Sequence, residues 1–408
     1  MNIRDKLKLY ETTAPAQSAP QPATMPESLA RAGGEVVSEN GETLWRFTER
    51  VPLDAIVPAS ADDGTVCPLR PYLRYNRHPD DLSLDTLVFL DLETTSLSIG
   101  TGNYPFVIGL GFVDGGSFVV EQYLLHDYRA ESFILAHIVP RLRSARALVT
   151  FNGKSFDVPL LKNRYRLARV PGYPVDTPVI DLLFPCRRIF KSIYASCSLK
   201  SMEEKFLGIA RDNDIPGWMI PDVFFEFQRT GAIDRIPAVL LHNAIDVRSM
   251  ASLLFALNDI YRGVADKNFT ALETRALMNI AHGLYRVDRA LFIDLVEFIG
   301  REVFGDRRLF KKYGAALKRT GQHDRAIELW REERSLYSLE ELAKHFEHRA
   351  RDYGHALAQC REAAVLIDAG VLRVGGDPAP AGIITWYAER FAKREKRLHR
   401  KAGDAEAT

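Results

Sequence analysis

Residues 87–97, LVFLDLETTSL, join an apolar run to two acids one residue apart. The run is short and rich in large aliphatic side chains, which predicts a buried strand. Alternate side chains of a strand share a face, so Asp91 and Glu93 point the same way from its end. Two carboxylates held that close repel unless a cation lies between them. Either the strand end frays into water, or it holds metal, and the rest of the chain has to decide which.

The chain has 408 residues, enough for two or three domains, and its 46% hydrophobic content supports a sizeable core. A formal net charge of +1 gives no global attraction to nucleic acid, so any basic surface must be local. The four cysteines (Cys67, Cys186, Cys197, Cys360) form no C-x-x-C pair, which indicates neither a zinc site nor a disulfide framework. The expectation is a cytoplasmic protein, with no signal peptide and no run of about eighteen apolar residues to span a membrane.

Residues 12–34 are rich in Ala, Pro, Ser and Gly, and 1–34 read as linker or disordered chain. An extension over 35–82 carries one or two short strands around ETLWRFTERVPL. Residues 83–262 have α/β character: LDTLVFLDLE as a strand, then PFVIGLGFV and SFVVEQYLL as two strands about a D-G-G turn. A helix over about 129–143, the strand ARALVTFNG and the helix VPLLKNRYRLA follow, and VIDLLF suits a short helix or a strand. Residues 263–370 read as helical hairpins, with Ala326 and Ala356 offset by 30 residues (356 − 326). Residues 371–408 form a last helix, with Ile383, Tyr387 and Phe391 on one face and a basic tail, KREKRLHRK.

Three further pieces bear on the two acids. Asp157 in FNGKSFDVPLL stands where a helix begins, and a helix-capping role there is compatible with metal ligation. Asp246 in LLHNAIDVRSM follows His242 by four residues, which puts both on one helix face. Four carboxylates from three segments suit two hard divalent cations, Mg²⁺ or Mn²⁺, of a phosphodiester hydrolase. A positioned imidazole then serves as general base. Asn152 reads as a supporting hydrogen-bonding residue or as turn chemistry. Thr94, Thr95, Asn103 and Tyr104 read as contacts for a terminal nucleotide or as a plain turn. Lys162, Arg164, Arg166 and Arg169, then Arg187, Arg188 and Lys191, with Lys200, read as a phosphate track or as solvated helix faces. The glycines of SIGTGNYP form no phosphate loop, since no Lys-Ser/Thr follows.

D-L-E-T-T, N-x-x-x-F-D and H-x-x-x-D, in this order, resemble the three motifs of the DEDD 3′→5′ exonucleases. DLETTSLSIGTGNYPFVIGLG, TFNGKSFDVPLLKNR and DNDIPGWMIPDVFFEFQRTG resemble the YprB-type ribonuclease-H-like domain more closely. The resemblance implies a mixed central sheet flanked by helices over 83–262, with degenerate tetratricopeptide-like helices after it. It implies metal-binding roles for Asp91, Glu93, Asp157 and Asp246, and a general-base role for His242. One departure stands out: DEDD enzymes with a histidine usually place it five residues before the last Asp, and here the spacing is four. The expected activity is metal-dependent 3′→5′ hydrolysis at single-stranded DNA or RNA ends. The alternatives are a non-catalytic nucleic-acid-binding adaptor and a structure-specific endonuclease. The helical region is the expected seat of any protein partner.

Overall fold

The structure is a computed structural model describing residues 25–56, 82–96, 100, 102–173, 176–212, 214–270, 272–370, 373–374, 377–378 and 380–406. The chain divides into two compact units, Met1–Asp266 and Lys267–Thr408.

In the first unit a short helix, α1 (Glu27–Arg31), leads into the hairpin β1 (Gly34–Glu39) and β2 (Glu42–Pro52). Asn40 and Gly41, both with positive φ, make its two-residue turn. The linker reading of 1–34 is therefore corrected for residues 27–34. Leu29 is fully buried in the core, so this stretch is anchored by packing despite its composition. Residues 1–24 and 57–81 lie outside the described residues.

β3 (Leu87–Thr94), β4 (Pro105–Asp114) and β5 (Ser117–Leu124) are the strands foreseen in the sequence, and they pair antiparallel, with Gly115 and Gly116 at positive φ in the D-G-G turn. After α2 (Glu131–Ser144), β6 (Ala147–Thr150) pairs parallel with β3. Past α3 (Asp157–Leu167), β7 (Val179–Asp181) pairs parallel with β6. VIDLLF is thus both candidates in turn, a strand and then the start of α4 (Leu183–Phe190). The seven-stranded order is β1-β2-β5-β4-β3-β6-β7, so the N-terminal hairpin extends the central sheet through β2–β5 pairing. A short α5 (Leu199–Met202) and α6 (Ile220–Thr230) precede the long α7 (Ile236–Ala265).

α7 lies across β3, β4 and β5. Two glycines of β4 make room for it. A Cβ at Gly109 would run into the Asn243 amide, and one at Gly111 would come within 2.5 Å of Val247 Cγ1. By length and composition α7 is apolar enough to cross a membrane, which corrects the expectation that no such stretch exists. Its apolarity has a nearer cause. Val239, Leu240, Val247, Met250 and Leu254 are buried, as a core helix on a sheet requires.

The second unit is helical, with α8 (Thr274–Leu284), α9 (Arg289–Ile299), α10 (Arg307–Arg319), α11 (His323–Glu333), α12 (Leu336–His345) and α13 (Tyr353–Asp368). Asp288, Asp306, Ser335 and Asp352 accept backbone N–H groups at the starts of α9, α10, α12 and α13. Past a two-residue strand pair (Arg373–Val374 with Asp377–Pro378), α14 (Ala381–Glu406) buries Tyr387, Phe391 and Leu398 against Leu336, Leu339, Ala356 and Leu357. The basic tail is held, not merely solvated. Glu347, its side chain fully buried, takes Arg394, Arg397 (2.7 Å) and Lys401 (3.0 Å).

Candidate active site

β3 carries its acids to the carboxyl end of the parallel pair β3–β6, where open α/β sheets place their ligand crevice. The β3 burial pattern breaks at Asp91 and Glu93, whose side chains stand on one face between buried neighbours. Asp157 reaches the same end from the β6–α3 connection, and Asp246 from α7. Local geometry explains how Asp157 gets there. Asp181, 1% exposed at the end of β7, accepts the backbone N–H groups of Asn152 (2.8 Å), Lys154 (3.1 Å) and Leu183 (3.1 Å). Asn152 turns through φ +65°, and at Gly153 a Cβ would sit 2.7 Å from Asp157 Oδ2. The N-G pair is therefore the turn that aims the carboxylate. Asn152 keeps its side chain exposed.

The four carboxyls act on one another. Burial raises Asp91 well above the usual carboxylate range, and Asp246, Glu93 and Asp157 push it further. Burial, then Asp246, Asp157 and Asp214, raise Glu93 to about 8. Burial, with help from Asp181 and Asp246, raises Asp157 to about 7, and burial raises Asp246 against the pull of His242 and Arg211. Such mutual repulsion in a poorly hydrated place is what a cation relieves.

Three polar residues missed from the sequence complete the site. Asn243, fully buried, donates to Asp91 Oδ2 (2.7 Å) and is itself held by Gln122 (2.8 Å). Asp214 Oδ1 lies 2.7 Å from His242 Nδ1. Burial pushes the Asp214 carboxyl up, but the imidazole and Arg211 more than reverse this and leave it below its usual range. Arg211 binds Glu203 through two 2.5 Å contacts, approaches Asp214 at 3.2 Å and hydrogen-bonds Asp246. The acid-rich DNDIPGW was the available signal; the partners lie too far off in sequence to be paired by spacing.

The four-residue spacing of His242 and Asp246 puts Nε2 3.8 Å from Asp246 Oδ2 and 4.0 Å from Glu93 Oε1. The imidazole thus faces the acids. The other candidates divide. Thr94 donates to the Ser96 carbonyl; Thr95 donates to Asn103 and accepts the Tyr104 N–H, and Asn103 donates to the Ser96 carbonyl. Thr94, Thr95 and Asn103 are buried, so they fasten the loop after β3 instead of presenting groups to a nucleotide. Arg164 is a correction: it is 4% exposed, ion-paired with Glu131 and stacked 3.7 Å over the partly buried Tyr104 ring. Burial and that pairing remove Arg164 from the phosphate track, and the stacking covers one face of Tyr104, a candidate contact for a terminal nucleotide. Lys200, like Arg166, Arg169, Arg187, Arg188 and Lys191, is exposed.

The donor chemistry fits divalent ions: hard oxygen donors, negative, crowded and poorly solvated. Among the described residues, however, no three His, Cys, Asp or Glu side chains stand as a preformed metal-ligating cluster. Asp246 Oδ1 is itself taken by Arg211.

A mixed sheet with antiparallel β5-β4-β3 followed by parallel β6-β7, an acid pair on the central strand and further acids from two helices define a ribonuclease-H-like, nuclease-type domain. A family model described as the RNase H superfamily matches residues 88–258. YprB of Bacillus subtilis (strain 168) is 31% identical over 285 residues, which cover 67% of this chain and 68% of that protein. The chain belongs to the YprB-type family of ribonuclease-H-like proteins.

Proposed function

We propose that the protein is a metal-dependent 3′→5′ exonuclease that hydrolyses phosphodiester bonds at single-stranded nucleic-acid ends. The observation that carries this reading is the convergence of Asp91, Glu93, Asp157 and Asp246 beside an imidazole already oriented by Asp214. The four carboxylates would hold Mg²⁺ or Mn²⁺, which when bound activates a water and neutralises charge on the departing 3′-oxygen. Asp214, held ionised, has no proton to give, so His242 Nδ1 donates to it. Nε2 faces Glu93 and Asp246, and in the neutral ring it would take the proton of the attacking water. Asn243 keeps the Asp91 carboxylate turned into the site. Lys200 and the exposed arginines of α3 and α4 would contact backbone phosphates, and the helices of the second unit would offer a surface to a protein partner.

The test is full-length protein with end-labelled single-stranded oligonucleotides and Mn²⁺ or Mg²⁺, against Asp91→Asn. Stepwise loss of 3′ nucleotides, abolished by the substitution and by EDTA, is expected. Equal degradation by both proteins, or cutting of circular strands, overturns the reading. The Arg211–Asp246 ion pair is the one feature that favours a non-catalytic adaptor, which would bind the oligonucleotide without turnover whether or not Mg²⁺ is present.

A further inference from the structure

We propose that the outer face of α14, in the helical unit, is a nucleic-acid contact of its own: a base stacks on Trp386 and the phosphates of a single strand follow Lys393, Lys396 and Arg400. From Arg390 to Lys401 the chain carries seven Lys and Arg and one acid, Glu395, a net +6 (7 − 1) in a protein whose total is +1. The fold does not cancel this charge. Glu340 takes Arg390, and Glu347 takes Arg394, Arg397 and Lys401. Lys393, Lys396 and Arg400 are exposed and make no ion pair among the described residues. Two buried carboxylates therefore answer four of the cations, and three face water unanswered.

Position turns the charge into a track. Trp386, Arg390, Lys393, Arg397 and Arg400 succeed one another at steps of four and three, which lines them along one helix face over about 21 Å. Trp386 heads the line, 48% exposed, with the Arg390 guanidinium 4.4 Å over its ring. An exposed indole among cations suits an unpaired strand: stacking takes any base by its π-face while the cations follow the backbone. The opposite side of the helix excludes a bilayer as the occupant, because Tyr387, Phe391 and Leu398 are already buried in the core and cannot insert. An acidic protein segment would answer the cations but offers the indole no base to stack. The same chain carries a nuclease-type domain, so a nucleic-acid strand is the partner that meets both features.

The experiment is fluorescence anisotropy of the full chain with a labelled twenty-nucleotide oligothymidylate in EDTA, which reads binding apart from hydrolysis. Lys393→Gln, Lys396→Gln and Arg400→Gln together should weaken binding about tenfold or more at about 100 mM salt. They should also flatten the slope of log K against log salt by about 2, the share of three phosphate contacts on a single strand. Trp386→Ala should weaken binding about tenfold and leave that slope unchanged. Lys393→Arg, Lys396→Arg and Arg400→Lys together keep the charge and should bind as the unaltered chain does. Unchanged affinity and slope in the glutamine variant, or lost affinity in the charge-keeping one, overturns the proposal. Polyglutamate binding as tightly as the strand, with Trp386→Ala affecting neither, gives the face to an acidic protein segment and overturns it as well. Failure here leaves the hydrolytic reading standing, and absence of hydrolysis once metal is added leaves this contact standing.

Discussion

His242 has its two ring nitrogens on different duties, Nδ1 on Asp214 and Nε2 toward the acids, and this division makes the pair testable. His242→Ala should lower nuclease activity by about 10²–10⁴-fold, the usual worth of a positioned base. Asp214→Ala should cost less, since the ring survives but loses its orientation. The double variant should be no worse than His242→Ala, because residues that act as one unit are not additive. Full additivity in single-turnover rates would show that Asp214 does not work through the imidazole. A second residue-scale outcome has an unusual sign. Glu93 sits buried among Asp246, Asp157 and Asp214, with His242 no nearer than 4.0 Å. Glu93→Gln should therefore raise the melting temperature in EDTA at pH 8, by roughly 1–3 kcal/mol of relieved repulsion, while weakening stabilisation by Mn²⁺. A lowered melting temperature in EDTA would mean that the carboxylate is satisfied without metal.

At the scale of elements, the acid pair was legible because one strand carries both residues and because period-two alternation is a local rule. The D-G-G hairpin, α3 and the helical character of the second unit were legible because turn residues and a 3.6-residue period are local signals as well. What escaped was pairing across long separations. Nothing near Trp45 says that β2 joins Leu124 on β5, although the N-G turn at Asn40–Gly41 announces the hairpin itself. Arg164 looked like phosphate-binding charge because its partners, Glu131 and Tyr104, lie far away in sequence. The partner of the basic tail, Glu347, is just as remote in sequence, and the clamp they form has a measurable pH signature. Burial raises the Glu347 carboxyl, but Arg397, Lys401 and Arg394 overcome it and hold it down at about 2. A carboxyl depressed on folding contributes stability that is complete above its unfolded value near 4.5 and is lost as pH falls toward 2. That contribution is on the order of 3 kcal/mol. Amide exchange along α14 should accelerate between pH 5 and pH 2, after correction for intrinsic rates. Glu347→Gln should make it fast already at pH 7. Unchanged protection of residues 387–401 in that variant would show that apolar packing alone holds the helix.

For the whole molecule, the division at Asp266 and Lys267 separates two hydrophobic cores of different kinds, one around a sheet and one between helices. The acids sit entirely in the first unit. A ligand that binds only one folded unit stabilises that unit by mass action and leaves an independent neighbour untouched. Scanning calorimetry should then resolve two transitions. Mn²⁺ at about a hundred times its dissociation constant should add about 2.7 kcal/mol to the first unit. For a unit of this size that is a rise of roughly 5–10 °C, with the transition of the helical unit unmoved. Glu347→Gln should do the reverse, lowering the helical unit's transition and sparing the other. The two perturbations address separate cores, so each serves as the control for the other. A single transition displaced by either one would mean that the units melt as one cooperative body, and that the helical region is part of what holds the acid site in shape.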